Sequence, residues 1–216
     1  MKTHAHRDLV AAKIKFMFKD LEKKISKLRF GSIDDKRKNK LQPLIDYIQE
    51  KVNRDEAIQL HFICTHNSRR SQFGQVWAKV AAGHFNIEID SYSGGVEVTA
   101  CNERTINSLI RYGFTILKQG NNNPKYMVNW GTGNLITLFS KLVDDDSNPE
   151  ENFAAIMTCS HADENCPVVF GSEKRISITY EDPGVADGTD DEERTYDQRS
   201  EEIATDLFYV FSKIKK

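Results

Sequence analysis

The sequence has no apolar run long enough to cross a membrane or to act as a secretory leader. Residues 1–27 are interrupted by a charge every few positions, so neither segment is expected and a cytoplasmic location follows. Cysteine is scarce. Cys64, Cys101, Cys159 and Cys166 are the only four in 216 residues, too few and too irregularly spaced for the disulfide framework of a secreted scaffold. In a reducing compartment they are expected to be thiols with chemistry. No internal repeat and no low-complexity tract occurs, which excludes solenoids and fibrous arrays. What remains is an ordinary globular composition, 39% hydrophobic and 29% charged, able to bury one good core with an appendage but hardly two full domains.

The net charge of −2 hides an asymmetry. Residues 1–56 carry fifteen Lys and Arg against nine Asp and Glu, and the remainder carries fifteen against twenty-three, so the two parts stand at +6 and −8. A basic arm can meet nucleic acid or an acidic partner, but a Lys-rich solvated helix face balancing an acidic body explains the same counts. Nucleic acid is therefore not expected as a partner.

Apolar residues mark out the elements. Val10, Ile14, Met17, Leu21, Ile25 and Leu28 recur every three or four positions, and Leu41, Leu44, Ile45, Ile48 and Val52 repeat that spacing after Gly31. Each set is one stripe of an amphipathic helix. Residues 1–56 thus read as a basic helical extension, a hairpin whose stripes must dock on each other and on a body helix or a second subunit. At Ala57 the period changes to two, with Ile58, Leu60 and Phe62 alternating up to Cys64 as in a strand. Phe73, Val76, Trp77, Val80 and Ala81 then restore a helical period. Strand, loop and helix make the βα unit of a parallel sheet. A strand over 87–92 and a helix through Ile106, Leu109 and Ile110 repeat it. A hairpin is expected from 126–130 and 136–142, an acidic loop over 144–151, strands over 153–158 and 175–180, and a final helix through Ile203, Leu207, Val210 and Ile214.

The first chemical constellation is Cys64-Thr65-His66-Asn67-Ser68-Arg69-Arg70-Ser71. A cysteine ends a strand, an arginine follows after five intervening residues, and a helix begins. A loop curling from a sheet edge into a helix N-terminus aims successive amide N–H groups at one point, where the helix dipole adds positive potential, and a tetrahedral oxyanion fits there. Arg70 closes such a cradle with a planar fork, and the positive field favours the thiolate of Cys64 as a nucleophile. Ser71 is placed to hydrogen-bond that sulfur and Asn67 to brace the loop. The competing explanation is an inert core cysteine before a basic turn. The second constellation, Thr158-Cys159-Ser160-His161-Ala162-Asp163-Glu164-Asn165-Cys166-Pro167, sets two thiols with six residues between them behind an apolar strand. Such a pair can form a disulfide only if its Cα atoms come within about 7 Å. Cys159, His161 and Cys166 also allow a metal site, although that spacing lacks paired ligands and needs a fourth. The third is Glu181-Asp182-Pro183 after the alternating strand, by itself a turn starter.

Residues 64–72 with the strand before them resemble the active-site loop of the low-molecular-weight protein tyrosine phosphatase superfamily, and the second segment resembles the redox segment of its thioredoxin-coupled arsenate reductases. The resemblance covers residues 57–216, the catalytic domain it implies. It implies an α/β fold, a three-layer sandwich with a four-stranded parallel sheet, here with the N-terminal helical hairpin added. It implies Cys64 as nucleophile and Thr65, His66, Asn67, Ser68, Arg69 and Ser71 around the oxyanion with Arg70. Cys159 becomes the attacking thiol, Cys166 the resolving one and Asp182 the general acid, since a carboxyl beside an oxyanion is protonated more readily than a free one. The implied partners are arsenate or phosphate and a thioredoxin-like reductant, with no cofactor and no metal.

Two departures stand out. Arg69 occupies a position where the reductases often carry another cysteine, and His66 one where glycine is common. Gly184 and Val185 follow the Asp-Pro pair where tyrosine phosphatases have aromatic residues. Arsenate reduction is the expected function, with a phosphatase of phosphotyrosine or small phosphoesters as the alternative and a non-catalytic redox or anion sensor as a third.

Overall fold

The structure is a computed structural model and describes residues 17–165 and 168–216. Val10 and Ile14 of the first apolar stripe, and Cys166 and Pro167, lie outside the described residues. The helices, in chain order, are α1 (Lys19–Ile25), α2 (Asp35–Asn53), α3 (Arg70–His84), α4 (Glu103–Tyr112), α5 (Ser160–Asn165) and α6 (Glu192–Ser212). The strands are β1 (Gln59–Cys64), β2 (Asp90–Gly95), β3 (Thr115–Gln119), β4 (Lys125–Gly131), β5 (Asn134–Leu138), β6 (Phe153–Met157) and β7 (Ser172–Ser177).

Four strands form one parallel sheet in the order β2-β1-β6-β7, the α/β architecture expected. Successive residues of its central strands go to opposite faces. Leu60, Phe62, Ala154 and Ile156 enter the main core, whereas Ile63, Phe153, Ala155 and Met157 enter a smaller cluster on the other face. The main core is built on α3, whose Trp77 is fully buried, meets Tyr112 and Phe114 edge-on, and donates from Nε1 to Ser200 Oγ of α6 at 2.9 Å. Gly74 lets α3 lie directly on β1, since a Cβ there would come 2.5 Å from the Phe62 ring.

Strand β3 is missing from the sequence reading. It joins β4 and β5 in a separate antiparallel sheet, and its burial is too slight to print an alternation: only Ile116 and Leu117 are apolar, and Leu117 is 62% exposed. The first stripe also differs. Phe18 is extended rather than helical, its N–H donates to Trp130 O, and Met17 bridges Gly131. Pairing with the second sheet therefore overrides the helical spacing at Met17. Strand β2 begins three residues later than expected because Ile87 and Ile89 pack into the core before pairing starts at Asp90.

Helices α1 and α2 bury Leu21, Ile25, Leu41, Leu44, Ile45 and Ile48 in the same cluster as Ile176, Ile178 and Leu207. Each side chain of this kind gives roughly 1.5–3 kcal/mol on leaving water. Polar bonds reinforce the contact. Lys51 reaches Glu56 and Glu173 at 2.8 Å, and Tyr47 donates to Glu173 at 2.9 Å. Arg37 places Nε and Nη2 on Asp206 Oδ2 at 2.9 and 2.6 Å, donates to Thr179 O at 3.2 Å, and lies 4.5 Å over the Tyr180 ring. Tyr180 donates to the same Asp206 oxygen at 2.9 Å. Burial raises the Asp206 pKa while Arg37 opposes it, so loss of Arg37 leaves a buried carboxylate without its cation. Arg37→Ala is expected to remove about 3 kcal/mol of stability, roughly 6–12 °C in Tm for a chain of this size. Thermal unfolding of the variant checks this, and a shift under about 2 °C would mean that Asp206 is stabilised without Arg37.

Candidate functional site

The three chemical segments of the sequence lie at the carboxyl ends of three adjacent parallel strands. Residues 64–71 follow β1, Cys159 follows β6, and Asp182 follows β7 after Ile178 and Tyr180 have extended the pairing through N–H bonds to Met157 O and Thr158 O at 3.0 and 3.1 Å. Clefts at that end of a parallel sheet are where such folds bind ligands.

The loop after β1 is shaped from outside. Glu97 N donates to Thr65 O at 3.0 Å, Ser140 Oγ to His66 O at 2.8 Å, Gln72 Nε2 to Asn67 O at 2.7 Å, and Asn102 N to Ser68 O at 3.0 Å. With four successive carbonyls drawn outward, the amides of residues 66–69 face the other way, and none of them donates in any hydrogen bond of the described residues. Helix α3 opens at Arg70 with no side-chain cap, leaving its first amides available as well. Asn67, at φ +45°, makes the turn. Its buried side chain donates to Ser71 Oγ at 2.8 Å and accepts from Lys141 N at 3.0 Å. Ser71 Oγ is 3.1 Å from Cys64 Sγ. Because that oxygen accepts from Asn67, its own proton is free to point at the sulfur. Gly95 gives the loop its room: a Cβ there would meet Asn67 N and Thr65 O at 2.7 Å, both backbone atoms.

Arg70 extends towards the third segment. Its Nη1 donates to Tyr180 O at 3.1 Å and its Nη2 to Asp182 Oδ2 at 2.6 Å. Its Nε is buried with no hydrogen-bond partner, a donor that fits an anion in the loop. Asp182 Oδ1 accepts from Gly184 N at 3.0 Å and so caps the 3-10 turn Pro183–Ala186. Arg69 goes elsewhere, to Tyr196 and Asp187, and His66 Nε2 is 3.2 Å from Glu97. Ser68 donates to Ala100 O at 2.6 Å.

The thiols divide between the two cores. Cys64 and Cys159 are 3% and 1% exposed and share the smaller apolar cluster. The register pairs Ile63 with Met157, so two residues on Thr65 stands opposite Cys159, and Thr65 Oγ1 is 3.5 Å from Cys159 Sγ and 3.3 Å from His161 Nδ1. Helix α5 carries the chain from Cys159 towards Cys166. It is tied to β7 through Asp163, which pairs with Arg175 at 2.6 Å and accepts from Ser177 Oγ at 2.7 Å. Cys101 belongs to the main core, where burial pushes its thiol well above the usual range. Among the described residues no three His, Cys, Asp or Glu side chains gather as metal ligands, and no helix is long and apolar enough to cross a membrane.

Sequence reasoning found the loop, Cys159 and Asp182 but missed the groups that shape them. Glu97, Asn102, Ser140 and Gly95 hold the loop from segments far along the chain. Gln72 alone carried a nearby signal, as a polar residue in the first turn of a buried helix.

No protein-family profile matches the chain. Sequence comparison finds an arsenate reductase of Oceanobacillus iheyensis, 29% identical over 154 residues that cover 71% of this chain and 94% of that protein. It also finds an arsenate reductase of Staphylococcus epidermidis, 31% identical over 124 residues that cover 57% of this chain and 77% of that protein. Among solved structures, a low-molecular-weight protein tyrosine phosphatase from T. tengcongensis shares the fold, with a TM-score of 0.51 at 13% identity over 73% of this chain and 100% of that one. The chain shares its fold with the low-molecular-weight protein tyrosine phosphatases and belongs to the arsenate reductase family.

Proposed function

We propose that this enzyme reduces arsenate to arsenite by a relay of three thiols. The observation that carries the reading is the cross-strand placement of Cys64 and Cys159 beside the amide-lined loop. Neighbouring strands about 4.8 Å apart with a rise of about 3.3 Å per residue put diagonal Cα atoms roughly 6 Å apart, within disulfide reach. Arsenate enters the loop, where the amides of residues 66–69, the uncapped end of α3 and Arg70 stabilise its charge. The Cys64 thiolate attacks arsenic and an oxygen leaves as water, taking its proton from Asp182. Cys159 then attacks Cys64 Sγ. The sulfur–arsenic electron pair stays on arsenic, which departs as arsenite, and a Cys64–Cys159 disulfide forms. Cys166 attacks Cys159, freeing Cys64 and leaving a Cys159–Cys166 disulfide. A dithiol reductant of the thioredoxin type restores both thiols by exchange.

The second reading, hydrolysis of a phosphoester, is supported by the same loop, because Cys64 with Arg70 and Asp182 also suits a phosphoenzyme mechanism. It needs neither Cys159 nor Cys166. Reduced thioredoxin consumption on arsenate and release of an aryl alcohol from a chromogenic aryl phosphate separate the two. Cys64→Ser is expected to end both activities. Cys159→Ser and Cys166→Ser are each expected to end turnover with arsenate while sparing any aryl phosphatase activity. Arsenate reduction at the normal rate in both single variants would contradict the relay.

Gly95→Ala tests the cradle without touching a reacting group. Its Cβ can be accommodated only by moving loop backbone, and a shift near 1 Å in a positioned site lowers rates by about 100-fold. Wild-type kcat/KM for arsenate in this variant would mean that loop geometry is not what activates the substrate.

A further inference from the structure

Arg69, which departs from the reductases' pattern, and Gly184, which departs from that of the tyrosine phosphatases, are two halves of one contact. A Cβ on Gly184 would lie 2.8 Å from Arg69 Cζ and 3.0 Å from its Nη2, so the guanidinium packs directly against the glycine backbone. Two of its nitrogens are hydrogen-bonded, one to α6 and one to the end of the turn that holds Gly184. Arg69 Nε donates to Tyr196 Oη at 2.7 Å and Nη2 to Asp187 Oδ2 at 3.0 Å, while Tyr196 donates to Asp187 Oδ1 at 2.8 Å. Tyr196 is fully buried, and Arg69 Nη1 is 3.8 Å from Asp182 Oδ1. The last residue of the oxyanion loop is thereby bolted to both ends of the turn that carries Asp182 and to α6.

We propose that Arg69 is a positioning residue for Asp182, and that its side chain is not an oxyanion ligand. The inference rests on the reading of Asp182 as proton donor. Among the described residues the Asp182 carboxylate has two hydrogen-bond donors, Arg70 and the N–H of Gly184 within its own turn. Arg70 is shared with the oxyanion, so it cannot fix Asp182 throughout a catalytic cycle. Arg69 can, because its planar fork meets Asp187 and Tyr196 at hydrogen-bond distances and, among the described residues, neither partner accepts a hydrogen bond from a loop amide. Gly184 is the complementary requirement: an aromatic residue there would push the guanidinium out of its place.

The test uses the full chain with Arg69→Ala, Arg69→Lys, Gly184→Ala and Asp182→Asn, singly and with Asp182→Asn combined with each of the others. Hydrogen exchange is read separately over residues 182–189 and 64–71, inorganic phosphate serves as the binding probe, and arsenate turnover gives kcat. Arg69→Ala is expected to speed exchange over 182–189 by about 10-fold or more. Exchange over 64–71 and phosphate affinity should stay within about two-fold. Its kcat should fall by about 10- to 100-fold, and by less than about two-fold when Asp182 is already Asn. Gly184→Ala should reproduce this pattern and Arg69→Lys should recover part of it, which also covers an Arg69→Ala chain that fails to fold. Weaker phosphate binding with unchanged exchange over 182–189 would make Arg69 a ligand and overturn the proposal, as would kcat losses that multiply with that of Asp182→Asn. Should Asp182→Asn alone leave turnover and leaving-group dependence intact, the proton-donor reading fails, and the positioning role fails with it even if the exchange pattern shows a clamp.

Discussion

A peptide unit cannot turn its carbonyl outward without turning its amide inward on the next residue, and the whole site follows from that constraint. Four acceptors in succession, from Thr65 O to Ser68 O, are held by donors from the segment between β2 and α4, from the segment after β5 and from α3 itself. Amides concentrated at one point repel each other unless an anion or a thiolate sits among them. The outward bonds supply the force that keeps them there. Cys64 at the last position of β1 receives the combined field, and Asn67 and Ser71 connect the loop geometry to its sulfur.

Sheet topology supplies the second requirement. A disulfide forms only when two sulfurs can come into bonding distance, and the proposed relay asks this of two residues almost a hundred positions apart in sequence, which β1 and β6 carry on neighbouring strands. Asp182 arrives the same way, from the end of β7, the next strand across. The extension supports that edge. Arg37 of α2 stacks on Tyr180, whose carbonyl holds Arg70. Helix packing and site geometry are thus linked through a single residue of β7's continuation.

Much of this was legible before any coordinates, and the division has a physical basis. The Cys64 loop, the Cys159 segment and the Asp182 turn are local in sequence; spacing and context marked the first, while the family resemblance singled out the other two, which by themselves also allowed a metal site and a plain turn. Helical periods of apolar residues marked α2, α3, α4 and α6, even though α3 is buried on nearly every side rather than along one stripe. Strand β3 left no such mark, being an exposed edge with little to alternate. The donors that shape the loop, Ser140 and Asn102 among them, were not legible because a serine or asparagine in an irregular stretch has many uses, and only folding reveals which carbonyl it meets. Arg69 carried an ambiguous signal: a basic residue in an anion loop suggests a ligand, and sequence gives no sign that its guanidinium bonds Tyr196 and Asp187.

The most direct test of the account is a single turnover without external reductant. Fully reduced protein is mixed anaerobically with arsenate, quenched, alkylated and mapped by mass spectrometry, while arsenite is counted. The relay predicts one arsenite per chain, with Cys64 and Cys101 alkylated and a disulfide joining Cys159 to Cys166. Arsenite formed in that amount with both Cys159 and Cys166 still alkylated as free thiols would contradict it.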